Sequence, residues 1–368
     1  MKLLAAAGDS GSTIAGIRLA TPLSALCAAD GHGLRLRSFH DCTAADLTWA
    51  DVFVAQRPLE ARAWRLQDGM RRSGGRVVVE IDDLLTDMPD ALLGAARVRA
   101  GQPWLQRSLR SADAVSASTA RLAEALAPLS PRVGVVPNHG AGEAAVPRVG
   151  AAAVTLLFVS SDHVPVAGVA GALQALAARR PGVELLAIGP VADDLRRHGL
   201  EPAAVPPMPR EAFAGWLRAL PDALAVIPVG DTAFDRCKSA IKFFDYALAG
   251  IPVLCAARPP YSDVVRHGST AWCVAEDSAA AWQAALLHLL GAPALREQLA
   301  RGAAAQVQAG HTLAHSVAAW RSLLAPLPAR TGPPRAPWPA WQRAVESVQF
   351  ALRQANRRRL AARQQQRR

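Results

Sequence analysis

Lysine and tyrosine are almost missing from this chain. Only Lys2, Lys238 and Lys242 are lysines, against 38 arginines, and the tyrosines are Tyr246 and Tyr261. Cysteine is also sparse. Cys27, Cys42, Cys237, Cys255 and Cys273 are odd in number and form no CxxC pair. That argues against a disulfide framework and a zinc site, and for reduced thiols in a cytosolic protein. No run of about 18 apolar residues is free of charge or breakers, so no transmembrane helix is expected. The opening MKLLAAA holds an apolar run too short for a leader and reads as a first strand. Acidic residues are missing from one end. Residues 329–368 hold ten arginines and one acid, Glu346, so they carry +9 of the net +11. The near-neutral remainder argues against nucleic acid as the main partner.

What is present is concentrated in 237–253, CKSAIKFFDYALAGIPV. Lys238, Lys242 and Asp245 stand at i, i+4 and i+7, one face of an expected helix, with Ile241, Phe244, Ala247 and Leu248 opposite. Gly250 and Pro252 end that helix. DALAVIPV (222–229) before it reads as a buried parallel strand. In a chain that otherwise uses arginine, two lysines beside Ser239 at a helix start suggest a point-charge site for a phosphate. The alternative is a solvated face on which Lys242 pairs with Asp245.

At 368 residues the chain is long enough for two domains. Strands and helices alternate throughout, which predicts parallel sheets covered on both faces. The first domain is expected over 1–145. Strand 2–7 leads into GDSGSTIAG, a glycine-containing turn without dinucleotide spacing. That turn is either a ligand cradle that includes Gly11 or a plain βα turn, and Arg18 at the next helix start either reaches an anion or faces solvent. Strand 76–81 (RVVVEI) delivers Asp82 and Asp83 to its carboxyl end, where open α/β sheets place ligands, or where acids cap the next helix. Strand 132–137 ends in Asn138-His139, candidates for the cleft or an acceptor, with His139 otherwise a lone loop histidine, and 141–152 reads as a linker. The second domain is expected over 146–326, closing with helices that include 313–323. Over 327–368 a Pro/Arg-rich linker precedes a basic amphipathic helix with the stripe Trp341, Val345, Val348 and Leu352. That helix either packs on the first domain or lies on an anionic membrane surface.

The run KxxDYxxxGxPV, Lys242 to Val253, resembles the donor-site helix of the GT-B glycosyltransferases that use nucleotide sugars. The resemblance implies two Rossmann-like domains facing across a cleft. It assigns Asp245 to the ribose of the donor and Lys238, Ser239 and Lys242 to its phosphates. PPYSDVVRHGSTAWCV (259–274) resembles the family's next donor loop, adding Tyr261 and Ser262. Two departures stand out. Cys237 occupies the place of a sugar-facing glutamate, and SSDHVPVAG (160–168) lacks the basic pair that often holds the diphosphate. QRP (56–58) and VVVEIDDLLTDMP (77–89) resemble a subgroup of polysaccharide glycosyltransferases. The implied activity is transfer to a hydroxyl of a saccharide or lipid-linked acceptor in surface-glycan synthesis, with retention of configuration, no metal and no nucleic acid. The implied location is cytoplasmic, with the tail as a peripheral contact on the inner face of the membrane. A GT-B epimerase or phosphorylase and a degenerate sugar-nucleotide-binding scaffold remain the alternatives.

Overall fold

The computed structural model describes residues 1–150, 154–177, 183–328, 330, 332–340, 342, 346–353, 355 and 359. Among the described residues twelve strands form two six-stranded, wholly parallel sheets. The first contains β1 (Lys2–Ala7), β2 (Gly33–Ser38), β3 (Val52–Gln56), β4 (Arg76–Ile81), β5 (Ala114–Ala117) and β6 (Val133–Val135), in the order β2-β1-β3-β4-β5-β6. The second contains β7 (Val154–Val159), β8 (Val183–Ile188), β9 (Ala203–Val205), β10 (Ala223–Ile227), β11 (Val253–Ala256) and β12 (Trp272–Val274), in the order β12-β11-β10-β7-β8-β9. The central strands are near-continuous apolar runs because helices cover both faces. Strand order reverses between β1 and β3 and between β7 and β10. The chain diverges to opposite faces at those points and leaves a crevice at the strands' carboxyl ends.

Four helices escape the sequence pattern among the described residues: Ala95–Ser111, Val191–Arg197, Ala44–Trp49 and Ala233–Cys237. The first buries Val98, Leu105 and Leu109 but carries Gly101 and Pro103 among several arginines, so its stripe is diluted. Another helix is assigned by its pattern to the wrong body. Leu313–Leu324, expected to close the second domain, packs on the first sheet. There its fully buried Trp320 lies in one cluster with Leu3, Leu23 and Val54. Periodicity shows that a helix has a buried face, not which sheet receives it.

The tail also differs from expectation. Trp341 and Val345 lie outside the described residues. Val348 and Leu352 are exposed, and the anchors are others. Trp338 is buried in the first domain's core, its indole lying over Gly69, where an added Cβ would come within 2.8 Å of the indole nitrogen. Arg330 donates to the carbonyls of Leu47, Thr48 and Ala50. Glu346 and Arg62, both buried, form an ion pair at 2.5 Å. Arg62 also donates to the carbonyls of Phe39 and Cys42. Among the described residues no helix is long and apolar enough to cross a membrane.

Candidate functional site

A cavity of about 200 Å³ lies between the carboxyl ends of the two sheets. Its floor on one side is the β7/β10 crevice, through Ser160–Asp162 and Ile227–Gly230, where strand order reverses. The facing wall comes from the segment after β1 (Ile14, Ile17, Arg18) and from Asp82 and Asp83 after β4. Lys238, Ser239, Lys242 and Tyr261 complete it.

The lysine segment is not one helix. A short helix, Ala233–Cys237, is capped by Thr232 and Asp235, and the chain then turns extended at Lys238. A second helix, Ile241–Leu248, starts from Ala240 with no side-chain cap. Its first backbone N–H groups are therefore free of the usual Ser, Thr or Asp partner. It stops where Gly250 adopts φ +73 and presses on Pro147, a place that excludes any side chain. Lys238 thus stands in the kink, not on the helical face that its spacing with Lys242 predicts. The break has no glycine or proline to signal it.

The two lysines are electrically unequal. Lys238 pairs with Asp162 at 3.1 Å and lies 3.9 Å from Asp235. Lys242 has no hydrogen-bond or ion-pair partner among the described residues. Desolvation, reinforced by Lys238, brings its pKa down to about 8. A half-buried ammonium without a counter-ion is a ready anion site. Asp162, in the segment that lacks basic residues, competes with any anion for Lys238. Asp162→Asn is therefore expected to tighten nucleoside-diphosphate binding by about 0.5–1 kcal/mol, the worth of a partly exposed pair. Calorimetry with UDP checks this, and weaker binding would contradict it.

Across the cavity the QRP and EIDD stretches form one polar network. Gln56 and Arg18 both donate to the fully buried Glu80. Arg57, in the left-handed region at φ +45, grips Asp82 through two nitrogens and reaches Asp83 at 2.5 Å. A non-glycine residue is rarely held there, and the two carboxylates supply the restraint. Burial and the adjacent Asp82 raise the Asp83 pKa to about 6. Arg18 also donates to Asn138, whose side chain donates to Ser239 at 2.7 Å, so a chain of hydrogen bonds crosses between the domains. Arg57 and Asp162 carry much of the site's geometry and were not among the sequence candidates. Their partners lie 25 and 76 residues away, beyond any local pattern.

The remaining candidates lie elsewhere. Asp245 is buried and accepts from Arg210 at 2.9 Å and from the Ala141 backbone N–H at 3.0 Å. It holds the crossing between the domains and does not line the cavity. Burial raises its pKa, opposed by Arg210. Ser262 is exposed and outside the wall. Gly11 and His139 line a second cavity, of about 600 Å³, with Arg210 and Thr312. Burial, with Arg210 and Arg18 nearby, lowers the His139 pKa to about 4, so its ring is neutral at pH 7.

Cys237 does not face the cavity either. It is buried, with Phe234, in the first domain's core cluster, and Thr119 donates to its carbonyl at 2.9 Å. Cys237→Glu is therefore expected to lower stability by about 1–3 kcal/mol through overpacking, before the cost of burying a carboxylate. Thermal melting checks this. A stable variant with altered sugar preference would instead place the side chain in the site.

Residues 172–322 match a family described as glycosyl transferase-like. No curated protein matches the chain in sequence. Among solved structures, HepE of Anabaena in complex with UDP-glucose superposes with a TM-score of 0.63 at 14% identity, covering 89% of this chain and 100% of that one. A sucrose-phosphate synthase from Thermosynechococcus elongatus gives a TM-score of 0.63 at 14% identity, over 88% and 100% of the two chains. A glycosyltransferase from Rickettsia africae gives 0.61 at 10% identity, over 89% and 99%.

Proposed function

We propose that this chain, which has the GT-B fold and a glycosyl transferase-like second half, moves a sugar from a nucleoside-diphosphate donor to a hydroxyl acceptor. The observation that carries the reading is the Lys242 ammonium, unpartnered among the described residues, beside an uncapped helix start in the crevice where the second sheet reverses. A diphosphate there would gain Lys242, the free backbone N–H groups and, in competition with Asp162, Lys238. Catalysis would rest on stabilising the departing diphosphate by groups already in place, with no metal assigned. Tyr261 closes the same wall. Asp82 and Asp83, on the opposite wall, are acceptors suited to the hydroxyls of an incoming saccharide or lipid-linked saccharide. Asp245, held by Arg210, would need that contact exchanged before it met a ribose. Retention of configuration and a place in surface-glycan synthesis, on the cytoplasmic side, complete the reading.

The test is a calorimetric and thermal-shift screen of UDP, GDP, ADP and CMP sugars, followed by detection of released nucleotide and NMR of the product's anomeric centre. Absence of binding by every donor would remove the proposal. Binding with neither transfer nor hydrolysis would favour the second reading, a sugar-nucleotide-binding partner without turnover. That reading draws support from the Asp162–Lys238 pair and from the lack of Lys or Arg in 160–168.

A further inference from the structure

Residues 346–353 are helical and touch the first domain by one face. Glu346 sits on Arg62, and Glu346 and Phe350 line a small cavity with Cys42 to Ala44. Arg353 stands three residues on from Phe350, on the same face. The opposite edge presents Val348 and Leu352, one turn apart, at 60% and 66% exposure. Folding gains nothing from two large apolar side chains left in water.

Two further facts bear on what covers them. Beyond Glu346 the sequence to residue 368 holds seven arginines and no acid, beside a body whose charge nearly cancels. Arg62, the partner of Glu346, begins a helix that directly follows β3, and Phe39 and Cys42 directly follow β2. The tail helix is thus docked at the carboxyl edge of the first sheet, the edge that opens into the cleft. Apolar side chains next to concentrated arginine fit a surface that is apolar beneath and anionic on top. A nucleic acid would use the arginines and leave Val348 and Leu352 without a role.

We propose that this outward edge of the tail is a docking surface for an anionic lipid bilayer, with Val348 and Leu352 entering the headgroup boundary and the arginines after Arg353 meeting lipid phosphates. The surface is independent of the transfer reaction, so its test needs no donor or acceptor.

The test is co-sedimentation of the full chain with vesicles of equal phosphatidylglycerol and phosphatidylcholine, against phosphatidylcholine alone. Binding is expected about 10-fold or more stronger to the anionic vesicles, and largely lost in about 0.5 M salt. Truncation after Ala355 removes six arginines and is expected to lower partitioning by about 100-fold or more. Val348→Asp with Leu352→Asp is expected to lower it by about 10-fold. Neither change is expected to move the melting temperature. Equal binding to both vesicle types overturns the proposal. So does lower melting of the aspartate variant, which would show a packed face. Vesicle binding indifferent to both changes, or duplex DNA outcompeting the vesicles, overturns it as well.

Discussion

Lys242→Ala is expected to weaken the binding of a nucleoside-diphosphate sugar by about 1.5–3 kcal/mol, roughly 10- to 150-fold. The reason lies in the inequality of the two lysines. Lys238 already has Asp162, so an arriving phosphate gains from it only the difference between two anionic partners. Lys242 has none among the described residues, and its full charge is open to the ligand. Arginine at this position should restore only part of the affinity, because a planar fork does not replace a compact ammonium in a confined wall. The pH dependence has a definite sign. In the free protein Lys242 loses its proton around pH 8, and the protonated form binds the anion. Donor affinity should therefore fall as pH rises through 8, with bound phosphate extending the plateau upward by stabilising the charged form. In the alanine variant that limb should vanish. Calorimetry between pH 6.5 and 9.5 decides the matter, and an unchanged dissociation constant in the variant would remove Lys242 from the site.

Trp338→Ala is expected to cost about 3–5 kcal/mol of stability, the usual range for deleting a buried tryptophan. Its indole fills a gap between Gly69 and Leu47 in the first domain's core, beneath the Arg62 guanidinium. Ending the chain at Arg335 should cost at least as much, since Glu346 is lost too. Arg62 would then stay buried with carbonyl partners only. Burial already lowers its pKa despite Glu346, and a stranded buried charge is among the costly defects. Truncation after Ala355 keeps Trp338 and Glu346 and should melt like the full chain. If the two truncations melt alike, the tail is not anchored by these residues.

The contrast between what the sequence displays and what it hides follows from range. The paired sheets were legible because β3, β4, β7 and β10 are apolar runs bounded by turn residues, and the strands carry their own signal. Lys238 and Lys242 were legible because lysine is so rare here. The kink between them was not, since neither Ser239 nor Ala240 is a helix breaker by itself, and the Asn138 that donates to Ser239 lies 101 residues away. Trp338 was hidden in PPRAPWPAW, a composition that reads as linker. The grip of Arg57 on Asp82 and Asp83 depends on β3 lying beside β4, and the engagement of Asp245 by Arg210 on the path of the crossing chain. A motif displays residue types, and the fold decides which of them are already taken.

The burial of Phe234 and Cys237 in the first domain's core has a mechanical consequence. The lysine loop is clamped at one end into the first body and at the other continues as the helix Ile241–Leu248, packed into the second. A change in the angle between the bodies is shared among the crossing segments, and on this side it falls on 228–232 and on Lys238–Ala240, the three residues between the two helices. Opening and closing of the cleft would thus be converted directly into a change of spacing between the paired and the unpaired ammonium. Heat should act on the same joint. Because the first body completes its interior with Phe234, Cys237, Trp320 and Trp338 from later in the chain, the molecule is expected to absorb heat in one cooperative transition, and residues 1–145 not to fold when expressed alone.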